Sequence, residues 1–255
     1  MTAEPNVTPQ PATRAVPPVV DRETWLRERN ALLAREKAHT REGDAIAAAR
    51  RRLPMTEADP ETLVVGPNGP TRFIDVFEGR DQLVVYKHMW HAGQPVEGQC
   101  EGCTASIWSV QDAAYLNHRG VSFAVFCEGP WEEVAPFVEF MGYRVPWYSV
   151  HGVRDDLVAG GLLDDRGFLS CYLRDGDRVF LTNETIHRGV ETIMAQAHLL
   201  DLTVYGRQET WEDSPVGWPQ HPTGTWWRHD GRPVPQWSRP GATADTQGPA
   251  APHRH

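Results

Sequence analysis

Leu83-Val-Val-Tyr-Lys-His-Met-Trp-His-Ala-Gly-Gln-Pro-Val-Glu-Gly-Gln-Cys-Glu-Gly-Cys103 is the stretch on which the fold is decided. Residues 83–87 form a short apolar run of the kind that makes a buried strand. A loop of about a dozen residues follows, and Cys100 then arrives where a helix begins. Unpaired backbone N–H groups and the helix dipole stabilise a thiolate at that place. A lowered thiol pKa makes a cysteine nucleophilic or metal-binding at neutral pH. The two residues between Cys100 and Cys103 leave their sulfurs within reach of each other or of one metal ion. The spacing leaves both uses open.

Working outward, the texture after residue 62 is one of short apolar runs alternating with helical patterns. Residues 63–65 and 72–76 flank Asn68-Gly69, a hairpin signal. The 83–87 strand is followed by a helix over 105–116, a strand over 121–126 and a helix over 131–141. Residues 168–173 and 178–181 flank Asp175-Gly176, a second hairpin, and a helix over 190–200 closes the pattern. That order predicts an α/β, thioredoxin-like domain over 61–202 with an added hairpin at its start. Residues 1–20, rich in proline, read as a disordered arm. Residues 21–60 read as two N-terminal helices, capped by Asp21, divided near Glu42 and ended by Pro54; they are expected to clamp onto the domain. Residues 203–238 hold Trp211, Trp218, Trp226, Trp227 and Trp237 among prolines and glycines, and are expected to pack as an ordered extension. The tail 239–255 reads as disordered.

Histidines beside the cysteine pair sharpen its chemistry. His88 leaves the strand next to the helix start, where it can ligate a metal or act as a base toward Cys100. His91 sits in the loop and is the poorer candidate. His-x-x-His followed by Cys-x-x-Cys supplies N and S donors suited to zinc, copper or iron. His187, after the second hairpin, is a candidate further ligand. Trp90, Trp108 and Tyr172 are candidate pocket walls. Cys127 and Cys171 read as core thiols, able to resolve a disulfide only if they face the pair, and His151 reads as a loop residue.

The bulk composition narrows the classes. Net charge is −9 over 255 residues, which argues against a nucleic-acid footprint. Only Lys37 and Lys87 are lysines among 25 basic residues, a skew given no functional weight. No apolar signal region precedes residue 20 and no run approaches a membrane span, so a cytoplasmic location is expected. Four cysteines in that setting suit redox or metal chemistry better than a disulfide framework.

Several segments carry a family resemblance. Leu33-Ala-Arg-Glu-Lys-Ala-His-Thr-Arg, Arg51-Arg-Leu-Pro-Met, Gln99-Cys-Glu-Gly-Cys-Thr, Phe140-Met-Gly-Tyr, Pro146-Trp-Tyr-Ser, Leu173-Arg-Asp-Gly-Asp-Arg-Val-Phe, Leu199-Leu-Asp-Leu-Thr and Trp211-Glu-Asp-Ser-Pro resemble the DUF899 family of bacterial thioredoxin-like proteins. The resemblance spans about residues 25 to 240. It implies a thioredoxin-like fold and the family's common description as predicted thiol–disulfide oxidoreductases, with no substrate. Thioredoxins proper carry a cis-proline facing the cysteine pair, whereas the matching stretch here, Arg166-Gly-Phe-Leu-Ser-Cys-Tyr172, has none. Its absence opens the thiolates to a metal. The segment Ile186-His-Arg-Gly-Val departs from the family pattern, which marks His187 as a specialisation of this member.

The functional expectation is an oxidoreductase centred on Cys100, Cys103 and His88. It would hold a redox metal, with copper favoured and iron or zinc open, through Cys100, Cys103, His88, His91 and His187, and would act on a small organic substrate. The alternative is metal-free thiol–disulfide exchange with a small thiol, and a non-catalytic metal carrier or sensor is third. A homodimer through the N-terminal helices is left open.

Overall fold

The computed structural model of the chain describes residues 15–153, 168–229 and 232–238. Most of the expected disordered arm, the tail from 239, and Arg166 and Gly167 of the proline-free stretch lie outside the described residues. Helix α1 (Arg22–Arg50) starts where expected, with Asp21 Oδ1 accepting from the Thr24 N–H at 2.8 Å. It is one continuous helix rather than two. Gly43 weakens it by about 1 kcal/mol, but no proline interrupts the run until Pro54. None of its residues is buried, so it does not clamp the domain as a packed layer.

Strands β1 (Thr56–Ala58), β2 (Leu63–Gly66) and β3 (Gly69–Arg72) come next. The β2–β3 turn is Pro67-Asn68, closed by Gly66 opposite Gly69, one residue earlier than expected. Of the strand expected over 72–76 only Arg72 is extended, in β3; residues 73–77 wind into a 3-10 turn that buries Phe73, Ile74, Val76 and Phe77. Strand β4 (Gln82–His88) follows, then α2 (Glu101–Trp108), α3 (Ala114–His118), β5 (Val121–Cys127) and α4 (Trp131–Met141). The helix expected over 105–116 therefore begins four residues sooner and breaks in two. Asp112, whose carboxylate accepts from the Ala114 N–H at 3.0 Å, restarts it as α3. Strands β6 (Trp147–Ser149), β7 (Phe168–Asp175) and β8 (Arg178–Ile186) complete the main sheet. A 3-10 turn (His187–Ile193), α5 (Ala195–Asp201) and a small ribbon of β9 (Arg228–His229) and β10 (Arg232–Pro233) finish the fold; the helix expected over 190–200 is thus only partly helical.

Eight strands form one sheet in the order β1-β8-β7-β4-β5-β6-β2-β3. At its centre β4, β5 and β6 run parallel, β7 is antiparallel to β4, and β8 is antiparallel to β7. The parallel β4–β5 pair with its helical crossover, flanked by the β7–β8 hairpin, makes the fold thioredoxin-like, an α/β class. Period-two alternation sorts the β4 side chains. Leu83 and Val85 join Phe73, Phe126 and Tyr172 on one face. Tyr86 points to the other face, with Cys103, Ile107, Phe137 and Trp147 under α2 and α4. Among the described residues no helix is long and apolar enough to cross a membrane.

The Trp-rich segment is held by buried polar groups rather than by regular structure. The Glu209 carboxylate accepts from the Gly224 N–H at 2.7 Å and from the Trp226 and Trp211 indoles. The Arg207 guanidinium pairs with Asp201 at 2.7 Å and Glu191 at 2.9 Å.

Candidate functional site

Cys100 is the N-cap of α2, half-buried, and Cys103 lies one turn inside the helix, fully buried. Cys100 Sγ accepts from the Cys103 N–H at 3.5 Å, using a donor that the helix start leaves unpaired. Cys103 Sγ accepts from the Met89 N–H at 3.4 Å, just past the end of β4. The two cysteine side chains are hydrogen-bonded, and Tyr86, beneath them on β4, bonds Cys103 and Ser106. His91 bonds Cys100 from the loop side.

These contacts sort the charges. Burial opposes ionisation of Cys103, but donors from Cys100, Tyr86 and Met89 outweigh it and hold its thiol below the ordinary range. Cys100 is pushed well above that range, first because its proton is engaged with Cys103 and then by burial. Of the two, Cys103 is the thiol that ionises more readily and Cys100 the one that holds its proton. Hydrogen bonding to Cys100 raises the exposed His91 imidazole, so that it accepts a proton more readily. Burial, followed by the charge on the cysteines, pushes the Tyr86 phenol well up, so it stays a donor.

The loop is set by Gln99, which is fully buried. Its Oε1 accepts from the His91 N–H at 3.0 Å, and its Nε2 donates to the carbonyls of His91 and Gln94, each at 3.1 Å. One amide side chain therefore folds the loop back and places His91 against Cys100.

The five-residue metal set expected from the sequence is not assembled. His88 is fully buried among Trp147, Phe137 and Trp90, at ring separations of 5.1, 5.6 and 6.4 Å. Its Nδ1 lies 2.6 Å from the Met89 carbonyl, which can only accept, so the ring proton sits on Nδ1. Its Nε2 has no partner, and the ring bonds neither sulfur. Burial drives its pKa down to about 3. His187 is exposed at φ +53 where β8 ends, outside the sulfur network. Among the described residues no three His, Cys, Asp or Glu side chains converge as a metal site.

Of the expected pocket walls, Trp90 and Trp108 join the apolar cluster that contains Cys103. Tyr172 does not, because its register opposite Leu83 puts it on the other face, 4.9 Å from Phe73. Trp90 donates to Glu133 at 2.9 Å and lies flat on Gly129, where a Cβ would meet the ring at 2.5 Å. Gly129→Ala is therefore expected to displace Trp90 and to cost about 1–3 kcal/mol. Urea unfolding followed by tryptophan fluorescence checks this; an unchanged midpoint and spectrum refute it. Cys127 is buried in the same cluster as Cys103, Cys171 is half-buried on β7, and all four cysteines are free. His151 is an exposed loop residue, its Nδ1 3.2 Å from the Glu128 carbonyl.

Sequence reasoning missed Tyr86, Gln99 and Arg228. Arg228, on β9, donates to the Glu97 carbonyl at 3.1 Å, the Gln99 carbonyl at 3.2 Å and the Glu101 carboxylate at 2.9 Å. Tyr86 was legible in principle, because strand alternation places it on the helix-covered face. Nothing local marks Gln99 or Arg228.

A family described as "Bacterial protein of unknown function (DUF899)" matches residues 14–232. The chain belongs to the DUF899 family. No curated protein matches this DUF899 chain in sequence. Solved structures similar to it include a Xanthomonas campestris peroxiredoxin Q mutant, at 10% identity, covering 58% of this chain and 97% of that one with a TM-score of 0.40. Another is the peroxidoxin BcpB of Mycobacterium tuberculosis, at 19% identity, 56% and 96% coverage and a TM-score of 0.38. A third is a secreted disulfide oxidoreductase from Mycobacterium tuberculosis described as homologous to E. coli DsbE, at 15% identity, 54% and 95% coverage and 0.34.

Proposed function

We propose that Cys100 and Cys103 are a dithiol/disulfide couple and that the protein is a thiol–disulfide oxidoreductase. The observation that carries this reading is the pair of hydrogen-bonded sulfurs at the start of α2, one half-buried and one buried.

The chemistry follows from that arrangement. Cys100, the sulfur a substrate can reach, passes its proton to His91 and attacks a substrate disulfide, forming a mixed disulfide and expelling one thiolate. The His91 imidazolium returns the proton to that leaving thiolate. Cys103, whose donors hold its thiol below the ordinary range, gives up its proton to solvent, attacks the Cys100 sulfur, closes the internal disulfide and expels the second thiolate, which takes up a proton. The substrate gains two electrons and the pair loses two. The reverse sequence oxidises a dithiol substrate.

A redox metal, copper included, is the weaker reading. His88, its expected imidazole donor, is sealed among aromatic rings, and among the described residues no three donors converge. A small-thiol substrate, a cytoplasmic location and assembly as a homodimer are consistent with the proposal and are part of it.

The test is Cys103→Ser, incubated as the reduced protein with a small disulfide. Accumulation of a mixed disulfide on Cys100, identified by peptide mass, is the expected result. The wild-type protein should instead close Cys100 to Cys103. A variant that carries no adduct, together with a wild-type pair that stays reduced, overturns the proposal.

A further inference from the structure

The backbone on both sides of Cys100 is already covered by the chain's own C-terminal part. Gln236 Nε2 donates to the Val96 carbonyl at 2.9 Å, and Arg228 occupies the carbonyls of Glu97 and Gln99. Arg228 also neutralises Glu101, the residue after Cys100, and Arg232 reaches Glu97 at 3.4 Å. Trp227 covers Gly102, the other residue between the cysteines. A Cβ added at Gly102 would lie 3.1 Å from the indole, and one added at Gly224 (φ +80) would lie 2.8 Å from it. Two glycines thus make room for one ring. Trp226 and Trp227 are anchored against Ala105, Met194 and Ala197. Gln236 is fully buried and Arg232 nearly so, which makes this a built cover rather than a draped one.

A polypeptide substrate docking in extended form needs free backbone acceptors and donors beside the nucleophile. Here the carbonyls at 96, 97 and 99 are occupied, and the surface at 101–102 lies under Arg228 and Trp227. A disulfide of low molecular weight needs only a path to Cys100 Sγ. We infer that residues 226–229 and 232–236 restrict this site to small disulfides and small thiols, with Trp227 as the specificity-determining side chain. The inference rests on the thiol–disulfide reading and names its substrate class.

The experiment is a single turnover of the reduced full-length protein with bis(2-hydroxyethyl) disulfide and, separately, with insulin. The wild type is expected to reduce the small disulfide faster by about 100-fold or more, and Trp227→Ala to lower that ratio by about tenfold or more. Trp227→Phe, which keeps an aromatic cover over Gly102, should stay closer to the wild-type ratio. Comparable wild-type rates on both substrates overturn the inference whether or not the variants fold. So does an unchanged ratio in Trp227→Ala when its circular dichroism and thermal unfolding match the wild type. Failure of the Cys100–Cys103 pair to react with either disulfide sinks the thiol reading itself, and the inference with it.

Discussion

Cys100→Ser is expected to lose thiol–disulfide exchange by at least about 10³-fold while keeping its fold. A hydroxyl ionises far less readily than a thiol and forms no stable bond to a substrate sulfur. The substitution is structurally mild because serine is among the best N-cap residues. Its oxygen can take the Cys103 N–H that Cys100 Sγ accepts at 3.5 Å. The loss would then be chemical and not a melted helix, and circular dichroism with a urea titration separates the two. Activity within tenfold of wild type would remove Cys100 from the mechanism. The pH dependence of the wild type has a defined direction as well. Cys103 is held below the ordinary thiol range, so its thiolate persists to lower pH than a free cysteine, and exchange fails as pH falls through that lowered value. His91→Gln removes the acceptor for the Cys100 proton and should move the acid limb of the rate profile upward. An unmoved limb would take His91 out of proton transfer.

The centre of the fold could be read because its signals are local. A buried strand, a loop and a cysteine at a helix start occupy adjacent positions, and α4 runs over the expected residues, Trp131–Met141. What could not be read depends on long-range contacts or on weak breakers. Strand β6 is three residues long, and its β-bonding to β5 is a tertiary fact. The two histidines exchanged roles for a physical reason. Strand alternation carries His88 under α2 and α4 with Tyr86, into a cage of Phe137 and Trp147, although in the sequence it looks nearest the helix start. His91 reads as a residue of an open loop, but the Gln99 side chain folds that loop back onto Cys100. Arg228 follows Glu101 by 127 positions, and no spacing rule connects them.

His88 gives the second large expected effect, on stability in acid. Burial lowers its pKa to about 3 from 6.5, and its Nε2 has no partner to receive a proton. Below pH 6.5 the unfolded chain binds a proton at this residue while the folded chain does not, so folding stability must fall as pH falls. The slope reaches about 1.4 kcal/mol per pH unit, and the accumulated loss by pH 3 approaches about 5 kcal/mol. His91 works in the opposite sense, since its raised pKa adds stability below 6.5 that is lost as pH rises through its folded value; exposure to solvent keeps that term small. His88→Phe, which keeps an aromatic ring in the cage, should unfold in urea with a flatter dependence between pH 6.5 and 3 than the wild type. Equal slopes would mean that His88 takes up its proton in the folded state, through water admitted beside Nε2. The expected result has a consequence for catalysis too. A histidine that stays neutral throughout the working range, with its free nitrogen sealed among rings, can neither accept the Cys100 proton nor ligate a metal at the sulfurs. Any titration in the rate profile near neutral pH then belongs to His91 and the cysteine pair.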